Sequence, residues 1–224
     1  FIDSCWHEWT DWIRANLFTV PKDKVPKLPN FHADVRTLIG KVKAAIGNKG
    51  LLLNIQSSAC LDYLTVGGAD GGVFEAFCHT TSQTWDQWTE WYKGHCLAFR
   101  TLATSGKWMF ALCGVQPTGY DAEEKNVGKT SLCLALLSAE DSSKVGFSFG
   151  RSYANPLANY FPEMDYDFGD PLGPTVQVAT NVWKRDFANY SVYVNMGDTP
   201  YTFNYQNKDY TGQPKSALIL PSAR

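Results

Sequence analysis

Gly67–Thr80 reads GGADGGVFEAFCHT. Glycines 67, 68, 71 and 72 lead into the apolar pair Val73-Phe74, Glu75 interrupts, and Ala76-Phe77 follow. An apolar run carrying Val and Phe and bounded by glycines predicts a buried strand. A carboxylate at the end of such a strand is costly unless it is paired, solvated or functional. Two readings of Glu75 therefore compete: an ion pair at a sheet edge, and catalysis.

Working outward, the same design of apolar run and then polar residue recurs. Leu51-Leu52-Leu53 ends in Asn54, and Phe1-Ile2 ends in Asp3. Trp108–Cys113 and Lys144–Gly150 are two more continuous apolar strands. Between them lie segments of helical spacing. His32–Ile46 places Val35, Leu38, Ile39, Val42 and Ile46 three and four apart, with Gly47 as a stop. Thr84–Leu102 carries Trp85, Trp88, Trp91, Tyr92, Cys96 and Phe99 at the same spacing, and Thr130–Ala139 is a strongly apolar helix. Continuous apolar strands alternating with helices predict a parallel sheet covered on both faces. Five strands fall in the first two-thirds of the chain. A complete eight-fold barrel takes about 250 residues, so a (β/α)8 TIM-barrel-type fold over residues 1–175 is expected, short by roughly three strand–helix units. The missing units would come from a preceding segment or from a second chain completing the barrel. From residue 176 to 224 short alternating runs are separated by turn formers, which predicts an antiparallel β appendage packed on the barrel.

Composition narrows the function classes. The chain has 224 residues, 44% hydrophobic, and a net charge of −2, which argues against nucleic acid as a partner. No apolar run approaches the ~20 residues of a membrane span. Aromatics reach 14%, a surplus that suits either a Trp-rich core or stacking on sugar rings. Six cysteines allow up to three disulfides, and Asn189-Tyr190-Ser191 is a glycosylation sequon. Together these lean toward a secreted or cell-surface protein.

Two motif readings fail, and a zinc site is a third, minor reading. His7-Glu8-Trp9-Thr10-Asp11 lacks the second His of a zinc protease helix. Asn126–Thr130 resembles the tail of a phosphate-binding loop, but Glu123 stands where the first Gly belongs. Cys78-His79 and His95-Cys96 have residue types that suit zinc, yet adjacent side chains diverge. Neither a metal nor a cofactor is expected.

The motifs in order resemble a known family. Phe1-Ile-Asp3, Leu53-Asn54, Asp70-Gly-Gly-Val-Phe-Glu75-Ala-Phe77, Gly106-Lys107, Lys184-Arg185-Asp186-Phe187-Ala-Asn189 and Val192-Tyr193-Val194-Asn195 are similar to glycoside hydrolases of the TIM-barrel type. The resemblance implies that Asp3, Asn54 and Glu75 end successive strands of one barrel, that residues 1–175 cover about its last five strands, and that a β region follows. It departs from the family at Asn189-Tyr190 and Asn195-Met196, where Asn-Gly and Asn-Pro are usual.

Glycoside cleavage generally uses two carboxylates flanking the scissile bond. The expected catalytic pair is Glu75 as general acid and Asp3 as nucleophile or base. The apolar neighbours Val73, Phe74 and Phe77 are expected to surround the Glu75 carboxyl. Asn54 would bind a sugar hydroxyl. Trp6, His79, Gln116 and Tyr120, just past strand ends, are the expected substrate contacts. The rival reading is a non-catalytic carbohydrate-binding or structural extracellular glycoprotein with the same residues.

Overall fold

In a computed structural model, the structure describes residues 29–55, 57–75, 77, 85–114, 122–139, 144–150 and 160–222. Phe31–Ile46 forms α1, as the spacing predicts. Ile39 is buried and Val35, Val42 and Ile46 pack on the core, whereas Leu38 lies on the flank of the stripe and is exposed. Strand β1 is Leu52–Asn54, followed by the single-turn 3₁₀ segment Ser58–Cys60 and the short helix α2, Leu61–Thr65. Asp62 of α2 ties it to α1, lying 2.9 Å from His32 Nε2 and accepting a 2.9 Å hydrogen bond from Arg36.

Strand β2 is Gly71–Glu75, helix α3 Trp85–Ala103, strand β3 Trp108–Gly114, helix α4 Ala122–Ser138 and strand β4 Lys144–Gly150. The four strands are parallel, in the order β1-β2-β3-β4. Asp70 pins the start of the β1–β2 pair. It accepts from the Leu51 amide and from Lys43, both at 2.7 Å, and Lys43 holds its carboxyl below the usual range.

The barrel expectation is overturned. The described strands make an open sheet of four, in which β1 and β4 are the edges, and antiparallel sheets complete the β structure. The physical reason is that alternation of strand and helix encodes parallel pairing and crossover direction, and these are shared by open and closed sheets. Closure depends on how many strands add their twist and stagger. The expected cover on both faces is not seen among the described residues either. Leu53, Phe74, Met109, Ala111 and Cys113 are buried. Phe74 meets His95 and Phe99 of α3, and Cys113 lies 3.2 Å from Ser131 of α4. Both helices therefore cover one face. The opening strand expected at Phe1-Ile2 lies outside the described residues.

The C-terminal region adds β5 (Val176–Ala179), β6 (Val182–Asp186), β7 (Tyr190–Asn195) and β10 (Ser216–Pro221) in one antiparallel sheet ordered β10-β7-β6-β5. A separate hairpin pairs β8 (Tyr201–Tyr205) with β9 (Lys208–Gly212). Its two-residue turn is Gln206-Asn207, both at positive φ, as a type I′ hairpin requires. Strand β9 is missed by the sequence reading because its polar residues lack the apolar alternation.

One face of the antiparallel sheet packs on α4. Val192 and Val194 are fully buried, and Trp183 and Ile219 join the same core. Arg185 is the main tie. Buried to 2% exposure, it donates to the carbonyls of Gly173, Leu136 and Ala139, the last two at the end of α4. Thr175 donates to the Leu137 carbonyl at 2.6 Å, and Asn126 to that of Lys215 at 3.0 Å. The layers therefore run parallel sheet, helices, antiparallel sheet, hairpin. Helix α4 sits between two sheets, which is why it has no polar stripe. It begins eight residues earlier than the apolar run suggests.

Candidate functional site

Glu75 ends β2 and Asn54 ends β1, side by side on parallel strands. Asn54 pairs with Val73, and the two-residue period places Val73 and Glu75 on the face that Asn54 shares. The Asn54 Nδ2 donates to Glu75 Oε2 at 2.7 Å. Asn54 is 8% exposed and Glu75 is half-buried. Among the described residues the carboxylate is thus held by an uncharged amide and is not locked by a cation. An amide donor serves a carboxyl group in either protonation state, since the other oxygen can carry the proton.

Phe74 and Phe77 do not surround this carboxyl. Alternation sends Phe74 to the helix face, where it packs edge-on to Phe77 at 5.9 Å and to His95 at 5.1 Å. What shares the face of Glu75 is another set. Register places Leu112 opposite Glu75, Phe110 opposite Val73 and Trp108 opposite Gly71. Trp108 stacks on Phe110 at 6.0 Å with an interplanar angle of 15°, and it is 48% exposed. This aromatic strip below the carboxylate went unnoticed in the sequence, where Trp108–Cys113 looks uniformly apolar. The signal was present in the period of two: Trp108, Phe110 and Leu112 alternate with Met109, Ala111 and Cys113. Gly146 leaves room for it, since a Cβ there would meet the Phe110 ring.

Of the other expected site residues, Asp3, Trp6, His79, Gln116 and Tyr120 lie outside the described residues. Asn189 is exposed on the β6–β7 turn, and its Nδ2 donates to the Asp167 carbonyl at 3.0 Å. Ser191 of the sequon is buried, donating to Asp186 at 2.6 Å.

The cysteines offer less than expected. Cys113 and Cys133 are free, fully buried thiols, so three disulfides cannot form, and no disulfide joins the described residues. Burial pushes the Cys113 thiol up to about 12 and raises Cys133 as well. Neither is suited to act as a nucleophile. Cys5 and Cys78 lie outside the described residues.

A family model described as hypothetical glycosyl hydrolase family 15 matches residues 1–191. The chain belongs to that family. Membership in hypothetical glycosyl hydrolase family 15 makes it a glycosyl hydrolase-like protein, and the match includes both Asn54 and Glu75. No curated protein matches the chain.

Proposed function

We propose that this protein hydrolyses O-glycosidic bonds of an oligo- or polysaccharide, with Glu75 as general acid and Asp3 as nucleophile or base. The observation that carries the reading is the 2.7 Å contact between Asn54 and Glu75 at the ends of adjacent parallel strands, within the span of a glycosyl hydrolase family. The Asn54 amide fixes one carboxyl oxygen and so aims the other. A carboxyl group held this way can give a proton to the departing glycosidic oxygen while a second carboxylate works on the opposite side of the sugar. Trp108 and Phe110, exposed or half-exposed on the same face, supply flat apolar surface for the C–H side of a sugar ring.

The test is Glu75→Gln, which keeps shape and removes the exchangeable proton. Turnover of a natural polysaccharide should fall by about 10²–10⁴-fold. An aryl glycoside with an activated leaving group, which needs little protonation, should be cleaved almost as fast as by the wild type. Asp3→Asn should impair both substrates. Full polysaccharide turnover by Glu75→Gln removes the residue from the mechanism, and no glycoside turnover by the wild type leaves a non-catalytic carbohydrate-binding role as the better account.

A further inference from the structure

The outer face of the antiparallel sheet is only partly roofed by the β8–β9 hairpin. Phe203 stacks on Tyr193 at 4.2 Å, and Tyr205 reaches over Ser191, so β7 is covered. The strip beside it, on β5 and β6, is left open. Register places Lys184 opposite Tyr193 and Val176 opposite Lys184, all on that outer face. The result is a cleft of about 500 Å³, with Lys184, Asp186 and Ser191 on its floor, Tyr205 as one wall, and Leu172 and Val176 on the other side. That volume falls within the roughly 300–1,000 Å³ range of small-molecule sites.

The floor is a wired polar network. Lys184 Nζ donates to Asp186 Oδ2 at 2.8 Å, and Ser191 Oγ donates to Asp186 Oδ1 at 2.6 Å. The Tyr205 hydroxyl lies 3.0 Å from Ser191 Oγ and donates to the Pro221 carbonyl at 3.1 Å. Burial pulls the Lys184 ammonium down, but Asp186 and Tyr193 outweigh it and carry the group above its ordinary value, so it stays charged at neutral pH. Asp186 is 43% exposed and Lys184 23%, so both reach the cleft. The walls are the reverse. Leu172 is 68% exposed and Val176 46%, so apolar surface lies open beside the polar floor.

We infer that this cleft is an accessory binding site for a neutral sugar segment, separate from Glu75. An ammonium and a carboxylate side by side offer a donor and an acceptor, which is what two vicinal hydroxyls require. Their charges cancel, so an anion meets Asp186 and a cation meets Lys184, and neither is favoured over an uncharged polyol. The Tyr205 ring and the apolar wall of Leu172 and Val176 suit the C–H faces of a pyranose. The site lies on the far side of α4 from the parallel sheet, whose Glu75 face points away from the helices. Occupancy of the cleft therefore does not depend on catalysis at Glu75, and the inference stands or falls independently of the proposed hydrolysis.

Saturation-transfer NMR on the full chain, with cellohexaose, xylohexaose, maltohexaose and chitohexaose as separate probes, tests this. At least one hexasaccharide should bind the wild type and bind Glu75→Gln equally well. Leu172→Asp, a change at an exposed side chain that does not threaten folding, should weaken that binding by about tenfold. Tyr205→Ala should do the same, with circular dichroism confirming a folded protein. Absence of binding by all four sugars overturns the inference. So does binding that survives Leu172→Asp unchanged, binding that disappears in Glu75→Gln, or displacement of the sugar by inorganic phosphate.

Discussion

At the scale of single residues, the interior of α4 holds the sharpest expectations. Thr130 is fully buried and its Oγ1 has no hydrogen-bond partner among the described residues. Its hydroxyl has been stripped of water without compensation, which costs about 1–3 kcal/mol. Thr130→Val replaces it with a methyl group of similar shape. The variant should be more stable by about 1 kcal/mol, read as a higher urea midpoint at unchanged m-value. One turn further along the helix, Cys133, together with Cys113 on the strand that α4 covers, controls the response to alkali. Free thiols have an ordinary value of 9.0, and burial carries Cys113 to about 12. Below pH 9 both the folded and unfolded chains keep the proton, and stability is unaffected. Above it the unfolded chain loses a proton that the folded chain retains, so stability falls as pH rises. Each thiol contributes a slope of ~1.4 kcal/mol per pH unit until the folded value is reached. Urea unfolding at neutral and at alkaline pH measures this. Cys113→Ala should flatten the decline, although the cavity lowers stability at every pH.

At the scale of elements, the parallel sheet depends on close approach at the start of β2. A Cβ on Gly71 would collide with the Trp108 carbonyl oxygen and come within 2.8 Å of Leu52 Cδ2. The backbone of β3 cannot withdraw without breaking its ladder. Gly71→Ala should therefore destabilise the protein by about 1–3 kcal/mol, despite the lower unfolded-state entropy of Ala. Gly50→Ala, whose Cβ meets nothing within 4 Å, is the control and should change the denaturation midpoint little. Strands were the most legible elements. Lys144–Gly150 is observed with its expected bounds, and the glycine-led strand ending at Glu75 is observed as Gly71–Glu75. Both have strong local signals: apolar runs with glycines at their ends. Helix α4 and strand β9 were less legible because their surroundings override local pattern. One is buried between two sheets, and the other is a polar strand held by its hairpin partner.

At the scale of the molecule, the two sheets are joined through α4, and Arg185 is the joint. Its guanidinium binds carbonyls of the α4 C-terminus and of the Gly173 loop, and lies over the Phe187 ring at 5.5 Å. Arg185→Ala would leave buried carbonyls without donors, at about 1–3 kcal/mol for each group. The variant should lose at least the lower end of that range and show the C-terminal sheet unfolding before the parallel sheet. A biphasic urea transition followed by Tyr and Trp fluorescence would report it, in place of the single transition expected for the wild type. Arg185→Lys should restore little, because an ammonium cannot span three carbonyls in the fork geometry of a guanidinium.

Sequence by itself determined where strands and helices alternate and which residues stand at strand ends. Asn54 and Glu75 were readable as such because period and punctuation are local, set by a few neighbouring residues. The tertiary structure decided what those ends meet. The amide of Asn54 reaches Glu75, 21 positions further along the chain, through the register of two strands, while Phe74, one residue from Glu75, faces the other way. It also decided that the described strands form an open sheet with its helices on one face. Local periodicity records the direction of a side chain, but the number of strands that pair, and whether their edges meet, is set by twist and stagger summed over the whole sheet.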